Sequence, residues 1–225
     1  MDLEPLLLAL QLGDSFFPSG ATSHSFGLEG LLTDHEIRGA AGVADFVAGQ
    51  LEGRWATADR VAAIAAHAAA PDLAAVAAID ELVERSTPVA GWRLAGRRSG
   101  RALLATHARL GTPGAEAYAA MVERGQAPGH APVVHGLVAA AAGLGAREAA
   151  ALSGYGVAVA IVSAALRLGM IGHLDAQRIL GEQRPCIARL AEAPAPPAAE
   201  MSAWVPAAEI AAMRHESRRG RLFAT

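Results

Sequence analysis

The stretch Gly154-Tyr-Gly-Val-Ala-Val-Ala-Ile-Val-Ser-Ala-Ala165 decides the fold. Val157, Val159 and Ile161 alternate with alanine, and period-two β-branched residues suit a buried strand. A strand here would make the chain an α/β protein. Two observations turn the reading toward a helix. Alanine, the strongest helix former, fills the gaps, and the apolar pattern runs past strand length into Leu166 and Leu168. The companion stretch Pro132–Ala142, with Val133, Val134 and Val138, poses the same choice and is read the same way. A helix apolar on every side belongs at the centre of a bundle. Gly154 and Gly156 near its start would let another helix approach closely.

On either side of these stretches, helical runs separated by short punctuation fill the chain. Leu6, Leu7, Leu8, Leu10 and Leu12 mark a short apolar first helix, and Asp14–Gly20 is a turn-rich break. Thr22 or Ser23 is a candidate cap for a second helix carrying Phe26, Leu28, Leu31 and Leu32. A third covers Ala41 to Ala69 and stops at Pro71. Asp72 caps the next, whose Leu73, Val76, Ile79, Leu82 and Val83 form one face. Thr87-Pro88 and Thr112-Pro113 each read as an N-cap followed by a first-turn proline, and Gly125 as a C-cap. Leu174–Leu190 is a further amphipathic helix. Residues 192–200 are a Pro-rich linker between a bundle over 1–191 and a tail over 201–225. No repeat of fixed period is present. The expectation is an all-α, single-domain bundle of roughly eight to ten helices.

Composition agrees. Of 225 residues, 52% are apolar, 4% aromatic and 18% charged, with 55 Ala and 24 Gly. That balance excludes a wholly disordered chain. All 19 basic residues are Arg, so a P-loop lysine or a Schiff-base lysine has no candidate. A formal charge of −3 speaks against a general nucleic-acid binder. The single Cys186 excludes a disulfide framework and cysteine-rich zinc sites. The N-terminus is acidic where a signal peptide needs positive charge. The apolar run Tyr155–Leu166 is too short to span a bilayer before Arg167. The chain is therefore expected to be cytoplasmic, without a membrane partner.

Catalytic patterns are sparse. Gly143-Leu-Gly145 and Gly154-Tyr-Gly156 lack the third glycine of a dinucleotide loop. His130 and His135 are five apart, poor spacing for shared ligation on a helix. No catalytic or metal-ligating set is assigned. Arg93, Arg97 and Arg101 form one helical stripe, either a solvated face or a docking strip for an acidic partner. The tail places four Arg between Arg214 and Arg221 and then ends in Leu222-Phe223. It either orders on a partner or folds back on its own core.

Leu7–Glu29, the pair of blocks His130–Gly145 and Ser163–Leu180, and the tail pieces Met213-Arg-His-Glu and Arg221-Leu-Phe resemble, in order and spacing, the urease accessory protein UreF family. The chain departs from the family pattern at Thr22, Met170 and His173. The resemblance implies an all-helical, non-catalytic chaperone that dimerises. It implies partners UreD (also called UreH), the GTPase UreG and apo-urease, with nickel and GTP handled by those partners and no cofactor of its own. It places Arg214, His215, Glu216, Arg221, Leu222 and Phe223 at the UreD side. It assigns Pro18, Gly20, His24, Ser25, Phe26, Gly27, Leu28 and Glu29 to the dimer or partner surface, and counts Arg167, Gly172 and Gln177 with them. Two other classes stay open: a helical enzyme with a small-molecule pocket, and a regulator binding an anionic ligand or nucleic acid through the Arg stripe and tail.

Overall fold

The stretch Gly154–Ala165 is helical and lies within α9 (Ala146–Arg167). The structure is a computed structural model that describes residues 3–14, 16–18, 24–216 and 222–223. Ala150, Ala158, Ile161, Val162 and Ala165 of α9 are all buried, so more than one side of it faces protein. Among the described residues α9 is the one helix long and apolar enough to cross a bilayer. Its neighbours account for that composition: α4 (Arg60–Ala69), α8 (Ala131–Ala141) and α10 (His173–Glu192) cover it. No strand occurs among the described residues.

Glycine sets how closely the central helices approach. A Cβ on Gly154 would stand 2.6 Å from the Trp55 ring, and Trp55 Nε1 donates to Ser153 Oγ at 2.9 Å. A Cβ on Gly136 in α8 would collide with the Ala63 carbonyl of α4. Gly156, expected to serve a close approach too, faces open space.

The run expected over Ala41–Ala69 is helical throughout. It comprises α3 (Gly39–Gln50), a π-helical section Leu51–Asp59, and α4. The π section puts Trp55 into the core and lays the Arg54 guanidinium over the Trp92 ring, 4.7 Å from its centroid. Two cores result. One joins α3, α9 and α10 around Val47, Leu51 and Ile161. The other joins α4, α8, α5 (Leu73–Ser86) and α7 (Ala115–Glu123) around Val61, Val76, Tyr118 and Val134.

Helix starts follow the sequence in part. The Asp72 side chain accepts from the N–H groups of Ala74 and Ala75, as an N-cap does. Thr87-Pro88 does not open its helix: α6 spans Ala90–Arg109, with Val89 as its cap residue. The Thr87 hydroxyl instead donates back to the Val83 carbonyl and closes α5. The cap before α7 is Gly114, at φ +76°, while Thr112 pairs with His107 Nδ1. Gly125, at φ +72°, follows α7 in the left-handed conformation typical after a helix end. Thr22 and Ser23 lie outside the described residues. The second helix, α2, starts later than expected, at Leu28, and runs to Thr33.

Beyond α10 the Pro-rich stretch lies against the body. Arg60 donates to the carbonyls of Ala193 (2.7 Å) and Pro194 (3.4 Å). After a short 3-10 turn, Ala198–Glu200, Met201 and Val205 are buried. The last helix, α11 (Pro206–Glu216), packs on α2 and α6. Of the two readings of the tail, the described part takes the folded-back one.

Candidate partner-binding site

The residues of the N-terminal signature and of the tail meet around one carboxylate. Phe26 at φ +53° and Gly27 at φ +87° turn the chain into α2. Left-handed backbone favours glycine, and both Gly27 and Gly30 also lie against α11. A Cβ on Gly30 would stand 2.8 Å from the Ala211 carbonyl oxygen, so only bare backbone permits this crossing. The approach brings Glu29, in the first turn of α2, to the C-terminal end of α11.

Glu29 is 6% exposed, and a carboxylate so buried needs donors. Its donors are His215 Nε2 (3.0 Å), the Leu222 N–H (2.9 Å) and the Phe223 N–H (3.1 Å). Phe223 is buried, and Arg167 at the end of α9 lies 4.3 Å over its ring centroid, a cation–π distance. Leu222, beside it, is 70% exposed. Arg214 sits on the outer side, 3.9 Å from the Asp34 carboxylate.

The remaining predicted residues divide by burial. Ser25 and Gly27 are buried, and Leu28 is a core residue with no exposure. Gly172 and Gln177 are exposed at the start of α10 and take no part in the Glu29 network. Pro18 is exposed, and its carbonyl accepts from the Thr106 hydroxyl. Gly20 and Arg221 lie outside the described residues, as does the side chain of Glu216.

His24 and Phe26 reach into a different feature, a cavity of about 560 Å³ under the turn that follows α1 (Leu3–Gly13). Phe17, Trp55, Trp92 and His107 line it as well. His24 Nε2 lies 3.0 Å from Ser99 Oγ. Burial pushes the His24 imidazole down to about 4, with Arg98 and Arg54 acting the same way. Burial likewise lowers His107 and His135. These imidazoles are neutral at neutral pH. His107 is paired with Thr112 and His135 with the Ala149 carbonyl. His130 and His135 do not converge, since His130 Nε2 is bound to Glu84 at 2.7 Å. Among the described residues no group of three or more His, Cys, Asp or Glu is placed to hold a metal ion.

The Arg stripe is partly engaged. Glu84 binds Arg93 (3.5 Å) and Arg97 (3.2 Å), while Arg101 is exposed. Two structural residues escaped the sequence reading: Arg60 and Asp80. Asp80 carried a signal, since it stands on the apolar face between Val76 and Val83.

Outward-facing apolar residues border these features. Leu3, Leu6, Leu7 and Leu10 of α1, Phe16 at 93% exposure, and Ile210 and Met213 of α11 are exposed. Apolar patches of this kind mark protein interfaces.

Comparison with known proteins gives a consistent result. The family model described as UreF matches residues 37–184. The chain is 32% identical over 232 residues to the urease accessory protein UreF of Trichodesmium erythraeum, covering 99% of this chain and 98% of that protein. It is 31% identical over 228 residues to the urease accessory protein UreF of Yersinia enterocolitica, covering 99% of each. The same identity and coverage hold for that of Yersinia pestis.

Proposed function

The chain belongs to the UreF family of urease accessory proteins, and from that premise we propose that it is a cytoplasmic, homodimeric adaptor in urease maturation. It bridges UreD (UreH) and the GTPase UreG on apo-urease, and couples GTP turnover to nickel insertion. Nickel and GTP are cargo and fuel of its partners, and this chain contributes surface rather than chemistry.

The observation that carries the reading is the convergence at Glu29. The two ends of the chain that carry the family resemblance form one joint face, with Leu222, Met213 and Ile210 turned outward beside it. A folded body that spends its buried polar groups on itself and leaves apolar side chains outside is suited to hold other proteins. The α1 leucines supply further apolar area for a second copy or a partner. Coupling of two partners through one scaffold requires only that each binds one arrangement of it better.

The test is co-elution of the purified chain with UreD and UreG, with and without residues 217–225. The full chain is expected to form the assembly, and the truncated chain to hold UreD measurably more weakly. Unchanged retention of UreD by the truncated chain would remove the tail as a contact.

A further inference from the structure

We propose that Glu29 is a positioning residue for the partner-binding tail: an internal clamp that fixes Leu222-Phe223 so that Leu222 is presented outward in one orientation. The proposal rests on the adaptor reading above and deepens it, because it moves Glu29 from the partner surface to the inside of the protein.

The geometry is specific. The two carboxylate oxygens of Glu29 accept successive backbone N–H groups, Leu222 on Oε1 and Phe223 on Oε2, with His215 sharing Oε2. Successive residues of an extended or turning chain point their side chains apart. Here one of the pair is 4% exposed beneath Arg167, and its neighbour is 70% exposed. The clamp thus has an anchor, Phe223, and a displayed residue, Leu222. Bonds to main-chain N–H groups hold the tail by its backbone, and the carboxylate is the side of the contact that substitution can reach. A partner that needs Leu222 in this place binds a chain already ordered, and avoids the entropy of fixing it. If the docked fraction falls, apparent affinity falls in proportion.

The experiment uses Glu29→Gln in the full-length chain and in the chain lacking residues 217–225. It reads amide hydrogen exchange at Leu222 and Phe223, UreD affinity, and melting temperature. An amide side chain keeps the volume but offers only one acceptor oxygen. In the full-length chain we expect faster exchange at both amides and UreD affinity about tenfold weaker. In the truncated background Glu29→Gln should change UreD affinity no further. Arg167→Gln, which leaves α2 untouched, should show the same pattern through Phe223. Unchanged exchange at both amides would overturn the clamp whatever truncation does to UreD binding. An equal affinity loss from Glu29→Gln in both backgrounds would overturn it as well, since the residue would then be merely structural. Faster exchange with UreD affinity equal in the full and truncated chains would keep the clamp but overturn the presenting role. It would also overturn the tail contact on which that role rests.

Discussion

The Tyr118 hydroxyl donates to the Asp80 carboxylate at 2.7 Å and ties α7 to α5 inside the second core. The same carboxylate accepts the N–H groups of Gly129 (2.7 Å) and His130 (2.9 Å), so a single buried acid holds the loop that leads into α8. A hydrogen bond to a charged group contributes about 1.5–3 kcal/mol. Tyr118→Phe should therefore lower stability by about 2 kcal/mol. Asp80→Ala should lower it by about 4 kcal/mol, because two buried N–H groups lose their acceptor. Urea denaturation followed by far-ultraviolet circular dichroism measures both, and equal losses in the two variants would contradict this account.

Gly154 and Gly156 stand one turn-fraction apart and differ in what surrounds them. A Cβ at Gly154 meets the Trp55 ring at 2.6 Å, whereas at Gly156 it meets nothing within 4 Å. Gly154→Ala should destabilise the protein by about 1–3 kcal/mol through overpacking. Gly156→Ala should be neutral or stabilise it by up to about 1 kcal/mol, as alanine does in a helix interior. Melting temperatures of the two variants in one buffer decide the matter; the reverse order would show that the helix contact is misplaced.

Stability should depend on pH through the buried imidazoles. The unfolded His24 ring takes up a proton below about 6.5, while the folded ring refuses one until about 4. Between those values the unfolded state binds more protons, so stability rises with pH and is lost as pH falls through the window. From neutral pH to about pH 5, His24 alone accounts for roughly 2 kcal/mol. His107 and His135, lowered by burial, add in the same direction. Denaturation midpoints measured across this range should fall toward the acid side, and His24→Gln should flatten the slope. An unchanged slope in that variant would assign the dependence to other groups.

The helical identity of α8 and α9 was legible because alanine between the valines outweighs their alternation. The Asp72 cap was legible because it is local: its bonds reach only Ala74 and Ala75. Thr87 carried an equally good local signal and played another part, since its hydroxyl found the Val83 carbonyl. That outcome depends on where α5 ends in space. Glu29 shows the limit most clearly. In the sequence it is an acidic residue within a helix expected to start at Thr22 or Ser23, and a carboxylate there ordinarily faces solvent. Its inward role depends on His215, 186 residues away, and on glycines that let α11 descend onto α2. Chemistry that is local in the chain can be read from it, and chemistry assembled by crossing helices cannot.

In the proposed function, this chain helps urease acquire its metal. The most direct measurement is urease activity in cells carrying the urease genes but lacking their own copy of this chain, with and without expression of this sequence from a plasmid. Active, nickel-loaded urease is expected to return when the chain is supplied, with the amount of urease protein unchanged. Soluble expression of the chain with no recovery of activity or of nickel in urease would contradict it.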